Sequence, residues 1–516
     1  MRVISTPSAA AAWLKGVVTG SLRTASRQVR AGDGFIAWPG ATSDARLYVA
    51  SALVDGATAC LVEQAQVERF GFSDPSVACF RGLKRASGVI ASAYFGQPTK
   101  KLDVIAVTGT NGKTSTAWWL AHALSNLTLA EPLPCGFVGT LGIGHSTRQT
   151  GLAESELVLT ANGLTTPDPV LLQQGFRDML NAGMRACAVE ASSIGIKEYR
   201  LKGTQIRVAI FTNFTQDHLD YHGSMSNYWK AKASLFQWPG LRSAVINIDD
   251  DKGAELAAKL GDEPVRPLDI WTVSCASEAR LQAQDIAYSE RGLRFAVVEG
   301  KTRLPISTSL IGQYNVANLL GVIAAMRALG VPLAACAAAC EELLPVPGRM
   351  ERLGTNDTPL VIVDYAHTPD ALTKSLAALS EVAKQRGGSL WCVFGCGGNR
   401  DVSKRPLMGA IAAKIAHRSI LTSDNPRDES AQSIIEQIAA GIENAANVEV
   451  QLDRALAIAD ALKRASTKDV VLIAGKGHED YQEICGVRRP FSDRLQAQMA
   501  LQARLPASLE YDGALT

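Results

Sequence analysis

From Val104 to Thr116 the chain reads VIAVTGTNGKTST, and four apolar residues pass into a glycine turn and then Lys-Thr. An apolar run of this length bounded by a turn reads as a short buried strand, and a helix is expected to begin near Lys113. Gly109 and Gly112 let the backbone turn tightly, so that its N–H groups can face a polyanion while the helix N-terminus adds positive partial charge. Within Gly109, Thr110, Asn111, Gly112, Lys113, Thr114 and Ser115, the lysine offers a mobile cation to terminal phosphates and the Thr114 hydroxyl offers an oxygen to magnesium. The general phosphate loop has about four residues between its glycines. Here only Thr110 and Asn111 stand between them, so a plain glycine turn is the competing reading.

A strand-loop-helix of this kind implies an α/β protein, and 516 residues suffice for about three such domains. With 47% apolar and 20% charged residues the chain is globular in composition, and its net charge of +2 provides no basic face for nucleic acid. Ten cysteines lie without paired metal spacing, several inside apolar runs, which suits a reducing cytoplasm. The Ala9–Leu14 run is broken at Lys15 without a cleavage pattern and reads as an alanine-rich first helix, not a secretion signal. No apolar stretch approaches the roughly 20 residues of a membrane span, so no membrane insertion is expected.

In chain order, Gly34–Ala37 reads as a strand, Leu47–Leu53 as a helix and Ala59–Val62 as a strand, a small α/β domain over residues 1–98. Residues 97–101 (QPTKK) read as a linker into a central domain, 99–346. There, Ala186–Val189 ends at Glu190, and Val208–Phe211 ends in TNFTQDHLDYH; Ala244–Ile248 is a further strand. Ligand residues of open parallel sheets gather beyond the carboxyl ends of strands, where Glu190 and His218 fall. On position alone, Glu190 could equally be a capping residue, and His218 a hydrogen-bonded loop residue less suited than oxygen to magnesium. Met225–Phe236 reads as a helix, on which Lys232 would ordinarily face solvent. Alternation between Ile286 and Thr308 signals hairpins, Asn315–Leu329 a helix, and Leu344–Gly348 a linker into residues 347–516. In that last portion, strands at Leu360–Val363, Leu390–Phe394, Ser419–Thr422 and Val470–Ala474 end in DYAHTPD, GCGGNRD, SDNPRD and GKGHED, loops that would line one edge of a doubly wound, Rossmann-like sheet. DNPR by itself reads as a turn and helix start.

TGTNGKTST, LTTPDP, EASSIGI, TNFTQDHLDYHG, SLIGQYNVANLL, PGRMER, VDYAHTPDAL, GCGGNRD, DNPRDES and AGKGHEDYQ, in this order, resemble the Mur ligases, the amide-forming enzymes of peptidoglycan precursor synthesis. The resemblance runs from about Leu22 to Asp493. It implies three α/β domains and a cytoplasmic monomer using ATP and Mg2+. The γ-carboxylate of UDP-N-acetylmuramoyl-L-alanyl-D-glutamate would be phosphorylated, and a diamino acid would attack the acyl phosphate. By position, Gly109–Ser115 would hold the triphosphate, with Lys113 on the transferred phosphoryl group. Asn315, Asn318, Arg349, Asp364 and His367 would meet the nucleotide, and Thr114, Glu190, His218 and Lys232 would hold magnesium, Lys232 as a carbamate. Thr24, Ser26, Ala41, Thr42 and Ser43 match uridine-side positions; Thr165, Thr166, Ser192, Glu198 and Arg200 match muramoyl-peptide positions. Glu198 and Leu164 depart from the family, where Gln and Asn are frequent. DNPR resembles the signature of members that add meso-2,6-diaminopimelate, which assigns Asp424, Asn425, Pro426, Arg427, Arg400, Gly475 and Glu479 to the amino acid. Arg400 and Arg427 would fork onto carboxylates, the far one being absent from lysine. Domain closure about Pro345–Gly348 is expected. Lysine-adding and folate-glutamylating ligases of the same fold are the near alternatives, and a phosphate-loop switch that forms no amide is the distant one.

Overall fold

Because the strand pieces are apolar on both faces, they need cover on both sides, and the sheets they build are mostly parallel with helices above and below. In the computed structural model, residues 1–40, 43–127, 132–147, 156–263, 267–289, 292–355 and 357–504 are described. The candidates Ala41 and Thr42 therefore lie outside the described residues. Three α/β domains follow one another, each built on its own sheet.

The first sheet has five parallel strands, in spatial order Arg2–Ile4, Val77–Phe80, Ala59–Glu63, Gly34–Ala37 and Leu22–Arg23. The helix expected at Leu47–Leu53 starts as a 3-10 turn, Ala45–Tyr48, and becomes α-helical only over Val49–Val54. The alanine-rich segment is the helix Pro7–Val17, started by Thr6, whose hydroxyl accepts from Ala9 N. The linker is a packed 3-10 turn, Pro98–Lys100, with buried Thr99 accepting from Gln205 N.

The second sheet has eleven strands, with Asp103–Thr108 inside it between Val208–Phe211 and Ala186–Glu190. These three are parallel and pair Val107 with Glu190 and Thr108 with Phe211, so the loops at their carboxyl ends all open on one edge. Antiparallel hairpins extend the sheet at both ends. The helices Lys113–Asn126 and Tyr314–Ala328 pack on one face around Leu120, Leu124, Leu319 and Ile323, and Phe176, Phe211 and Phe236 fill the other.

The third sheet has six strands, in the order Glu351–Leu353, Leu360–Asp364, Val470–Ala474, Leu390–Phe394, Arg418–Leu421 and Val448–Val450, all parallel except the first. The late strand Val470–Ala474 inserts between two early ones, so Asp364 and Phe394 both register with Ala474 and the four polar loops share an edge. Among the described residues no helix is long and apolar enough to cross a membrane.

Candidate functional site

The Gly109–Ser115 loop is shaped by what presses against it. At Gly109 (φ +147°) an added Cβ would lie 1.8 Å from Thr212 Oγ1, and at Gly112 (φ +83°) 2.4 Å from Asn318 Oδ1. Both glycines are thus required by backbone conformation and by space. Gly112→Ala is expected to cost about 1 to 3 kcal/mol of stability, read by denaturant titration, and to weaken ADP binding, read by calorimetry. Lys113 Nζ donates to Gly109 O (3.0 Å) and Thr110 O (2.8 Å), folded back over the loop. Burial holds its ammonium below its ordinary pKa, against the attraction of Glu190 and Asp217.

Beside the loop, Glu190 is 1% exposed. Its carboxylate accepts from Thr114 Oγ1 (2.9 Å) and Thr140 N (2.7 Å). Burial raises its pKa, and Lys113 opposes that rise. Capping is excluded as its role, because the next helix, Ser193–Lys197, is capped by Ser192. A buried carboxylate touching a hydroxyl is a hard-oxygen pair of the kind magnesium accepts.

The other two expected ligands take different partners. His218 (φ +53°) sets Nε2 3.4 Å from Asp217 Oδ2. Lys232 is 1% exposed, with Nζ donating to Gly109 O at 2.5 Å and lying 4.5 Å from the Tyr228 ring centroid. The solvent-facing lysine that helix geometry suggests is in fact turned inward, on a helix that ends at Ala233 before a 3-10 turn. Among the described residues no three His, Cys, Asp or Glu side chains cluster as a metal site.

The loop opens into a cavity of about 430 Å³ walled by both the second and third domains. Gly112, Lys113, Glu190, Asn315, Asn318 and His218 line one side; Arg349, Asp364, Tyr365 and His367 line the other. Asn318 Nδ2 donates to Asn315 Oδ1 (2.9 Å), which fixes both amides against the loop. Arg349 Nη2 lies 3.3 Å from Thr114 Oγ1, its guanidinium carbon is 4.1 Å from the Tyr365 ring centroid, and its buried Nε has no hydrogen-bond partner among the described residues. Such an orphaned donor suits an anionic guest. Asp364 accepts from Ser375 Oγ (2.6 Å) and two backbone N–H groups, and burial raises its pKa. His367 Nδ1 lies 2.8 Å from Tyr365 O, and burial lowers its pKa to about 4. Asn111 Nδ2 donates to Asp370 Oδ2 (2.8 Å), so the loop already touches the third domain. Asp217, Tyr365 and Asp370 were not singled out from sequence, although all three stand inside the family-like motifs.

On the first-domain side, Thr24 bonds Asp168, and Ser43 Oγ lies 3.3 Å from the Tyr48 hydroxyl; Ser26 opens a 3-10 turn. Thr165 Oγ1 accepts from Thr140 (3.1 Å). Thr166 is buried and donates to Glu190 O (2.7 Å), while Arg200 Nη1 donates to Thr166 O (2.9 Å). Glu198 is not an open carboxylate beside the substrate positions. Lys84 of the first domain pairs with it at 2.5 Å and the Tyr221 hydroxyl donates to it, which together hold its pKa down despite burial.

The other three polar loops of the third domain do not line this cavity. Asp424–Arg427 does not start a helix: Arg427 takes φ +51°, and the next helix begins at Ala431 behind a Ser430 cap. Arg427 Nη1 instead donates to Gly398 O (2.8 Å), which holds the loop against the one bearing exposed Arg400. Asn425 Nδ2 donates to Glu479 Oε2 (2.8 Å), and fully buried Lys476 donates to Asn425 Oδ1 (3.0 Å) and pairs with Glu479 (3.1 Å). Lys476 was missed from sequence, and its place between two glycines was the available signal.

The Mur ligase middle domain family matches residues 107–326, and the Mur ligase glutamate ligase domain matches 348–477. The UDP-N-acetylmuramoyl-L-alanyl-D-glutamate--2,6-diaminopimelate ligase of Acidovorax sp. (strain JS42) is 56% identical, over 98% of this chain and 99% of its own. The enzyme of that name from Pseudomonas aeruginosa is 45% identical, over 93% of this chain and 94% of its own. A solved structure of a ligase of the same name is 34% identical with TM-score 0.62, covering 94% of each chain. In fold, MurF ligase from Thermotoga maritima in complex with ADP aligns with TM-score 0.64 at 17% identity, over 94% of this chain and 98% of its own. With the Gly109–Ser115 loop and the glutamate beside it inside the matched middle domain and relatives this similar over nearly the full length, this chain belongs to the Mur ligase family.

Proposed function

We propose that the protein joins meso-2,6-diaminopimelate to UDP-N-acetylmuramoyl-L-alanyl-D-glutamate at the expense of ATP, in the cytoplasmic assembly of peptidoglycan precursors. The observation that carries this reading is the cavity that unites the Gly109–Ser115 loop and Glu190 with Arg349 and His367 of the third domain. Relatives named for this reaction over nearly the full length support the choice of substrates. Domain limits at 98/99 and 346/347 and a monomeric state complete the proposal.

A carboxylate cannot expel oxide, so its oxygen first attacks the γ-phosphorus of ATP and ADP leaves. The amine nitrogen then attacks the acyl carbon, orthophosphate departs, and the nitrogen gives up a proton. Both steps build negative charge on oxygen, which fixed cations and N–H groups stabilise without reorganising. Lys113, freed from its loop carbonyls, would follow the transferred phosphoryl group, and Arg349 would meet a phosphate oxygen. Thr114 and Glu190, with Lys232 and His218 nearby, would hold magnesium, which supplies charge neutralisation along the phosphates. Thr24, Ser26, Ser43, Thr165, Ser192 and Arg200 would grip the nucleotide-sugar peptide. Glu198 supports this site through Lys84 instead of touching the ligand.

For the amino acid, Glu479 and Asp424 offer carboxylates to ammonium groups, and Arg427 with Arg400 offers guanidinium to the far carboxylate. Arg427→Ala is expected to lower kcat/KM for diaminopimelate by about ten- to a hundredfold, the range of one lost charge-assisted hydrogen bond, and to leave ATP binding unchanged. Ligation with the purified dipeptide, ATP and either diaminopimelate or lysine tests the reading. Carboxylate 18O should appear in orthophosphate; product formed without that transfer, or formed equally well with lysine, would reject it.

A further inference from the structure

Arg454 lies in the third domain and does not line the cavity described above. It begins the helix Arg454–Arg464 and is 1% exposed. A cation at a helix N-terminus is opposed by the helix dipole, and a buried guanidinium is costly unless every arm is engaged. Here the arms are engaged. Nε and Nη2 fork onto Asp493 Oδ1 and Oδ2 at 2.7 and 2.8 Å, Nη2 also donates to Ala474 O (2.9 Å), and Nη1 donates to Ser423 O (3.3 Å). Asp493 is itself fully buried, at the start of the helix Asp493–Gln502.

Both carbonyls belong to residues at the roots of the amino-acid loops. Ser423 precedes Asp424, and Ala474 precedes Gly475. These loops leave strands that have Leu390–Phe394 between them, and they press together where a Cβ on Gly475 would lie 2.4 Å from Asp424 Oδ2. Stability alone is a weak reason for such a pair, since well-packed apolar residues in place of a buried ion pair are often neutral or stabilising.

We infer that Arg454, locked by Asp493, is a positioning residue that sets the Asp424–Arg427 loop and the Gly475–Glu479 loop in mutual register from beneath, and thereby sets the affinity for the diamino acid. The inference rests on the proposed ligase reading. Two variants test it: the charge-free pair Arg454→Met with Asp493→Leu, which replaces the ion pair by apolar side chains, and Arg454→Lys, which keeps the charge but has one nitrogen where three are used. Each is assayed for hydroxylamine-trapped acyl phosphate formed from ATP and the UDP-dipeptide without amino acid, and for the KM of diaminopimelate in full ligation. The expected result is wild-type trapping with KM raised on the order of tenfold or more in whichever variant folds. A wild-type KM in either folded variant, or an equal fall in both assays with the fold intact, overturns the inference. Wild-type protein that ligates no diaminopimelate would instead sink the functional reading beneath it.

Discussion

Lys232→Ala is expected to abolish ligation, with kcat reduced by about a thousandfold or more, and added bicarbonate is expected not to restore it. Lys232 is buried with its nitrogen on Gly109 O, and burial and the neighbouring Lys113 push its ammonium well below the ordinary lysine pKa. Carbamate formation needs the free amine, which this site favours, and it would turn that neutral amine beside Lys113 into an anionic oxygen donor suited to magnesium. Alanine removes the nitrogen, so carbon dioxide has nothing to add to. The measurement is orthophosphate release with saturating substrates, with and without bicarbonate, on protein whose unfolding midpoint shows it folded. A mutant retaining near-normal turnover would dispose of Lys232 as part of the catalytic apparatus.

Glu190→Gln is expected to lower kcat by about a hundred- to a thousandfold while the apoprotein unfolds close to the wild-type midpoint. The amide is nearly isosteric, so its oxygen can still accept from Thr140 N, as Glu190 Oε1 does at 2.7 Å. What disappears is one negative charge beside Thr114 and Lys113. Burial raises the Glu190 pKa, so the ionised form is disfavoured there and its removal spares the fold a desolvation cost. ADP affinity without magnesium should change little, whereas the magnesium-dependent gain in affinity should vanish. Calorimetry with and without the metal separates these terms, and an undiminished magnesium dependence would show that Glu190 holds no cation.

The features behind these two residues differ in how far residue order reveals them. The strands Asp103–Thr108, Ala186–Glu190 and Val208–Phe211 could be read from short apolar runs, because burial on both faces leaves an unbroken local signature. The loop at Gly109–Ser115 was legible for the same reason: conformation, charge and helix start are all encoded within a few residues. Strands such as Val77–Phe80 and Cys135–Gly139 were passed over, being brief runs whose identity depends on the neighbours they pair with. The helix start expected at DNPR failed because Arg427 pairs through its backbone with Glu483 and Cys485, a competitor 56 and more residues away.

Local order and the conformation of the Gly109–Ser115 loop could be obtained from residue order, since each depends on forces acting over one strand or one turn. Charge states and partners could not. Lys232 looks like a solvated lysine until the fold buries it, Glu198 looks like an open carboxylate until Lys84 arrives from 114 positions earlier, and Arg454 meets Asp493 from 39 positions away. The energy of a charged group is set by the dielectric and the countercharges around it, and both are assembled only when distant segments close over the same space.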